Sequence, residues 1–199
     1  MIAKVKRLDC LRKYAKFPQI YNESDFFYPK AFYCYTFTLP RTSINVYVKK
    51  LSQQFTQLIE LLKFDTLIFL DDYKMPWRGQ DNEYKPAKRA LQYLIEQNVG
   101  KRFNGGLEVN LGDLSEFSKH LFWLSRCNAS LPTFHYMDKG ENILGYLCKY
   151  GNLHVQTLNK RIDNKFQYII GNIEFLLVNG NCRESFSKSG RIKGRRIIV

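Results

Sequence analysis

Residues 65–72 read DTLIFLDD, with an apolar run between acidic ends. The run Thr66–Leu70 has the length of one strand and almost no polar interruption, which is typical of a strand buried on both faces of a sheet. Asp65 precedes the run, and Asp71 and Asp72 follow it. The segment therefore predicts an interior strand, against which elements from both sides of the chain have to pack.

Helical patterns flank this strand. Apolar residues at helical spacing predict helices at about 45–63, 86–98 and 113–126, and a short basic helix at about 8–16. Aromatic and β-branched runs predict strands at about 31–39, 103–109 and 133–137, and a hairpin joins 143–150 to 153–158 by a two-residue turn at Gly151-Asn152. Residues 160–178 fit either a helix, which is favoured, or a second hairpin around Gly171-Asn172. A final edge strand is predicted at about 195–199.

The alternation of strands and helices predicts an α+β fold, with a mixed central sheet covered by helices. The predicted hairpin makes part of that sheet antiparallel. The 199 residues suit a single domain, and the hydrophobic content of 45% argues against general disorder. We therefore expect one α+β domain over residues 1–199, with basic segments at 1–16 and 183–199.

The number and spacing of the cysteines indicate the cellular compartment that the protein is expected to occupy. The five cysteines are odd in number and contain no CxxC pair, so a disulfide framework or a zinc knuckle is not indicated: Cys10, Cys34, Cys127, Cys148 and Cys182. Residues 1–16 lack the apolar stretch of a secretory signal, and the longest apolar runs are too short to span a bilayer. These features predict a cytoplasmic protein with buried, reduced thiols and no membrane association.

The formal net charge of +13 is concentrated at the two ends of the chain. Residues 1–16 carry six Lys or Arg against one Asp, and residues 183–199 carry six Lys or Arg against one Glu. Chain termini often lie close together at the surface, so the two ends are expected to form one positive patch. Two solvated tails that aid solubility are the alternative.

The first functional hypothesis is a non-catalytic protein that binds, or is associated with, nucleic acid. The basic ends supply the phosphate contacts through eight residues: Lys6, Arg7, Arg12, Lys13, Arg191, Lys193, Arg195 and Arg196. The polar loop 73–85 adds Trp77 and Arg78, because aromatic rings stack on bases and cations neutralise phosphates. Burial of Trp77 as a core anchor is the alternative for that residue.

Two other hypotheses use the same sequence. The charge also suits a protein-interaction module, an inhibitor or adaptor that docks on an acidic protein partner. A metal-dependent enzyme acting on nucleic acid is the third hypothesis, since Asp71 and Asp72 end a buried strand and Glu108 lies on a neighbouring predicted strand. The three histidines, His120, His135 and His154, show no metal-ligand spacing and are expected to be structural.

A Cys–His nucleophile between Cys148 and His135 or His154 requires their strands to adjoin. The run Asn104-Gly105-Gly106 lacks the lysine of a P-loop and is explained by a turn. No catalytic residue, metal site or cofactor is predicted.

Overall fold

The computed structural model describes residues 2–22, 24–127, 133–180 and 182, and these form an α+β fold. Its helices are α1 (Arg7–Lys13), α2 (Ile44–Leu62), α3 (Lys85–Glu96), α4 (Leu111–Cys127) and α5 (Lys160–Ile169), with a 3-10 turn at Ile170–Asn172. Its strands are β1 (Ala3–Val5), β2 (Gln19–Ile20), β3 (Phe26–Phe27), β4 (Tyr33–Thr38), β5 (Thr66–Asp71), β6 (Gly106–Asn110), β7 (Phe134–Asp138), β8 (Ile143–Leu147), β9 (Leu153–Thr157) and β10 (Leu176–Leu177). The predicted α+β class is confirmed.

Eight of these strands form one sheet in the order β1-β6-β5-β7-β8-β9-β4-β10, and β2 pairs with β3 beside it. Every pairing among the described strands is antiparallel, whereas the sequence predicted a mixed sheet. The alternation of strands and helices did not reveal this, because β4 and β5 are consecutive in sequence yet three strands separate them in the sheet. The carboxyl ends of neighbouring strands therefore lie at opposite edges.

The predicted interior strand is confirmed. All six residues of β5 are buried, and β5 pairs with β6 on one side and with β7 on the other. Its side chains alternate between two apolar clusters, with Leu67 and Phe69 in one and Ile68 and Leu70 in the other. Both faces of the strand are therefore core, which explains its unbroken apolar sequence.

The two faces of the sheet are covered differently. Helices α2, α4 and α5 contact one another or the sheet and enclose the larger cluster, which includes Phe55, Phe117 and Phe166. The opposite face is covered near β5 by Cys10 and Tyr14, from α1 and its end, and by Phe17 from the segment that follows. The remainder of that second face, over β8, β9 and β4, carries polar and aromatic side chains.

The remaining predicted elements among the described residues are close to their observed bounds, with two differences. The β8–β9 connection is not a two-residue turn: Cys148 and Asn152 face each other, and Gly151 closes a three-residue loop with φ of 83°. The favoured helix at 160–178 ends at Ile169, and β10 follows it. The strand predicted at 195–199 lies outside the described residues.

Candidate functional site

A row of polar and aromatic side chains crosses the second face of the sheet. The antiparallel register places His135 opposite Tyr146, Tyr146 opposite His154, and His154 opposite Thr36. The rings of His135 and Tyr146 meet edge to face at 5.5 Å, and those of Tyr146 and His154 stack at 4.2 Å. The register thus lines up residues that are far apart in sequence.

One end of this row is a buried carboxylate–imidazole pair. Asp72 accepts hydrogen bonds from the Tyr28 hydroxyl at 3.1 Å and the Thr133 amide at 3.1 Å, and its Oδ2 lies 3.3 Å from His135 Nε2. Burial, followed by the nearby Asp72 charge, raises the pKa of Tyr28 to about 12. Tyr28 covers the pair, and both Asp72 and His135 are buried. The pair therefore holds the segments that carry Tyr28 and Thr133 against the sheet and is not accessible to a substrate.

The carboxylates that the metal-dependent enzyme hypothesis requires are not brought together. Asp71 forms a 2.8 Å ion pair with Arg7 and also accepts hydrogen bonds from the amides of Tyr73 and Met75. Glu108 lies opposite Ile68, three residues before Asp71 along β5, or about 10 Å at the usual rise of a strand. Within the described ranges, the three carboxylates do not form a cluster of metal ligands.

The other end of the row holds two thiols beside an imidazole. Cys148, His154 and Cys182 place their ligand atoms within 4.8 Å of one another, and we call them the thiol–imidazole cluster. Cys182 Sγ lies 3.3 Å from His154 Nε2, while the Thr36 hydroxyl lies 3.3 Å from His154 Nδ1. Burial lowers the pKa of His154 to about 4 and raises the pKa of Cys182, so burial favours a neutral thiol and a neutral ring.

The adjoining strands do bring Cys148 and His154 together, as a Cys–His nucleophile required. The neighbouring thiol of Cys182 lies 3.3 Å from His154 Nε2, so two thiols share this imidazole and the arrangement is not a simple Cys–His pair. The expectation of five buried thiols is wrong, because Cys34 is exposed and Cys127, Cys148 and Cys182 are only half-buried. Cys10 alone among the five is buried.

The sequence missed the thiol–imidazole cluster because of the hairpin turn. The predicted two-residue turn at 151–152 places Lys149 opposite His154, and the observed three-residue loop places Tyr146 there instead. Cys148 then shares a face with Tyr146 and lies diagonal to His154. The Cys148–His154 pair was one of two combinations named from the sequence, and the correct loop selects it, but no local pattern points to Cys182.

The basic residues predicted as phosphate contacts are divided by the structure. Arg7 is largely buried and bound to Asp71, so it is a core ion pair rather than a free cation. Lys6, Arg12 and Lys13 are exposed. Arg12 lies 4.0 Å from the carboxylate of Asp9, and Lys13 lies 4.0 Å from the carboxylate of Glu108. Arg191, Lys193, Arg195 and Arg196 lie outside the described residues.

Trp77 and Arg78 also differ from each other. Trp77 is completely buried, with its ring stacked on Phe134 at 4.1 Å and its Nε1 donating to the Gly105 carbonyl. Its ring is therefore not available to stack on a base. Arg78 is half-buried and donates to the Val99 carbonyl at 3.1 Å, which places it beside the loop at 98–104.

Other cations gather around the same loop. Lys4 donates to the Asn98 carbonyl at 2.7 Å, and the Asn104 amide donates to the Lys74 carbonyl at 3.2 Å. The loop itself exposes Lys101 and Arg102. We call this group the basic cluster, and it consists of Lys4, Lys6, Lys74, Arg78, Lys101 and Arg102.

An aromatic segment adjoins the basic cluster. Six of the thirteen exposed large apolar side chains in the described residues fall within positions 21–33, and they are Tyr21, Phe26, Phe27, Tyr28, Phe32 and Tyr33. The segment is attached at Asp72, whose carbonyl accepts from the Ile20 amide and whose carboxylate accepts from Tyr28. Exposed Tyr73 and Lys74 follow directly, so the two surfaces meet at residues 72–74. The sequence feature that indicates this segment is the aromatic run FFYPKAFY at residues 26–33.

A separate cleft lies among the helices. It has a volume of about 330 Å³ and lies between α2, α3 and α4, where Lys49, Arg89, Lys119 and Trp123 line it. Glu116 neutralises part of this charge, since it bonds Lys119 at 2.8 Å and lies 3.1 Å from His120. The cleft is therefore less basic than its lysines and arginine suggest.

Comparisons of the chain with protein-family models, with curated proteins and with solved structures gave no match. In the described part of the chain, no helix combines the length and the apolar character needed to cross a membrane.

Proposed function

We propose that this protein binds single-stranded nucleic acid across the basic cluster and the aromatic segment. The observation that carries the proposal is the junction at residues 72–74, where a group of exposed cations meets a group of exposed rings. Sites that bind single strands without strict sequence preference combine these two features, because cations follow the phosphates while bases stack on aromatic side chains.

The exposed phenylalanines of the aromatic segment support this proposal because they lie outside the core of the described residues. Phe26 remains 61% exposed and Phe27 41% exposed, although burial of such side chains is normally favourable by a few kcal/mol. Concentrated exposed apolar surface is typical of a binding site. A net charge of +13 favours a polyanion as the ligand over a neutral or basic protein.

The cations support it through their positions. Lys101 and Arg102 lie in one loop, which Arg78 and Lys4 contact from two other parts of the chain. Each exposed cation that contacts a phosphate releases a counterion, so binding has to weaken as salt rises. The number of such contacts can be measured from the slope of log K against log salt concentration, which is about 0.7 per phosphate for a single strand.

The test is fluorescence anisotropy with labelled oligothymidylate and a mixed-sequence RNA, over a range of salt concentrations. The Lys101→Ala/Arg102→Ala variant is expected to weaken binding and to lower the salt slope by about 1.4. The Phe26→Ala and Tyr73→Ala variants are each expected to weaken binding by roughly 5- to 150-fold, from the loss of one stacked base.

Matched controls lie on the helical side. Lys49→Ala/Arg89→Ala removes the same charge at the cleft, and Tyr168→Ala removes an 83% exposed ring on α5. Both controls are expected to bind as the unmodified protein does, apart from a small effect of net charge. No binding at low ionic strength, or a greater loss in the cleft variant than in the loop variant, would overturn the proposal. An acidic protein that binds the basic cluster while oligonucleotides do not would favour the interaction-module hypothesis instead.

A further inference from the structure

We propose that Cys148, His154 and Cys182 bind a thiophilic divalent metal ion, and that Zn²⁺ is the ion that fits this donor set. The thiol–imidazole cluster lies on the β8–β9 hairpin and on the chain that follows β10. This inference is independent of nucleic-acid binding, because none of the three residues belongs to the basic cluster or to the aromatic segment.

The distances between the donors are close to those of a zinc site. Tetrahedral Zn²⁺ with bonds of about 2.3 Å to sulfur and 2.0–2.1 Å to nitrogen holds its donors roughly 3.5–3.8 Å apart. The three ligand atoms lie within 4.8 Å of one another, with Cys182 Sγ and His154 Nε2 at 3.3 Å. Side-chain movements of about 1 Å therefore suffice to reach zinc geometry.

The imidazole is already oriented for this role. His154 stacks on Tyr146 with an interplanar angle of 6°, and the Thr36 hydroxyl lies at its Nδ1. A hydrogen bond from Nδ1–H to Thr36 leaves the Nε2 lone pair directed toward Cys182. Metal-binding histidines commonly have such an outer partner, which fixes the tautomer and the ring plane.

The donor chemistry selects the metal. Two sulfur donors and one imidazole suit zinc, whereas magnesium and calcium prefer oxygen donors. Binding deprotonates both thiols and forms two Zn–S bonds and one Zn–N bond, and the protons leave to solvent. Three protein ligands leave a fourth position for water or another ligand.

The bound metal also has a structural consequence. Cys182 lies 28 residues after His154, beyond α5 and β10, so the metal would tie this later part of the chain to the β8–β9 hairpin. An ion that binds the folded chain but not the unfolded one raises stability with its concentration. Zinc is therefore expected to raise the melting temperature of the reduced protein.

The test is a Co²⁺ titration of the reduced, metal-free full chain, followed by displacement with Zn²⁺. One equivalent of Co²⁺ is expected to give visible bands of tetrahedral cobalt with a thiolate-to-cobalt charge-transfer band, and Zn²⁺ should abolish both. Cys148→Ser, His154→Gln and Cys182→Ser should each lose these bands. Thr36→Val, which removes only the outer partner, should weaken binding by about 10-fold or more.

Cys127→Ser is the matched control, because this half-buried thiol lies on α4 and is not in the thiol–imidazole cluster. Circular dichroism verifies that each variant is folded, and the result for the unmodified chain does not depend on any variant. Absence of cobalt bands at millimolar Co²⁺ would overturn the proposal. Equal loss of cobalt binding in Cys127→Ser would do the same.

Discussion

Arg7 and Asp71 form an ion pair in the interior of the protein. Arg7 Nη1 lies 2.8 Å from Asp71 Oδ2, Nη2 donates to the Asp71 carbonyl at 2.9 Å, and the two side chains are 9% and 0% exposed. The pair joins the start of α1 to the end of β5. It therefore fixes the N-terminal helix to the central strand.

Removal of Arg7 is expected to destabilise the protein strongly. Arg7→Ala leaves a buried carboxylate without its cation, which typically costs roughly 3–5 kcal/mol of unfolding free energy. Chemical denaturation at neutral pH measures this loss. Arg12→Ala is the control, because its pair with Asp9 is exposed and is expected to contribute almost nothing. Equal stability of Arg7→Ala and Arg12→Ala would contradict the assignment.

The loss in Arg7→Ala should depend on pH. Burial raises the pKa of Asp71, while Arg7 and two amide donors lower it in part. A folded-state pKa above the unfolded value means that this group favours folding at low pH and that the benefit is lost as pH rises through the folded value. Without Arg7 the pKa rises further, so the deficit of Arg7→Ala relative to the unmodified protein should be smaller in acid than at neutral pH. Melting temperatures of both proteins from acid to neutral pH test this, and a constant difference would contradict it.

Ile68→Lys should abolish folding. Ile68 is completely buried in the interior strand, so a charge there is removed from water. The carboxylate opposite it, Glu108, already lies near Lys13 and Lys139 and is therefore not free to neutralise a new cation. The matched control is Ile95→Lys on α3, where the side chain is 42% exposed and the change should be tolerated. A cooperative thermal transition for Ile68→Lys would show that β5 is not interior.

Gly145 in β8 should not accept a side chain. A Cβ at this position would lie 2.2 Å from the His154 carbonyl oxygen and 2.4 Å from the Tyr136 ring, and neither the backbone nor a buried ring can easily move away. Gly145→Ala is expected to lose at least about 1–3 kcal/mol of stability, as for an overpacked core. Gly112→Ala, where nothing lies within 4 Å, is expected instead to gain up to about 1 kcal/mol from helix propensity. Denaturant titrations compare the two, and similar values would contradict this prediction.

The five thiols should differ in reactivity. Cys34 is exposed, whereas Cys10 is buried and burial raises its pKa to about 12, which suppresses the reactive thiolate. Brief iodoacetamide treatment followed by peptide mass spectrometry should find Cys34 modified and Cys10 unmodified until denaturant is added. Labelling of Cys10 as fast as Cys34 in the folded protein would place that thiol outside the core.

Local patterns in the sequence identified most of the helices and strands. The apolar run at 66–70 and the helical stripes of α2, α3 and α4 report their own burial, because burial on one or two faces imposes a period on the residues themselves. The fold class followed from their order. The burial of Trp77 was one of two stated alternatives, and the fold decided between them through a ring stacked on Phe134.

The sequence by itself therefore determined the long helices, the main strands and the net charge, but not the short strands β1, β2, β3 and β10. Only the tertiary structure decided the strand order, the antiparallel pairing, the separation of Asp71 from Glu108, and the contact between His154 and Cys182. The physical reason is that these features depend on register and on pairings between distant segments. A register difference at a single turn changes which residue lies opposite His154, and no local pattern records that choice.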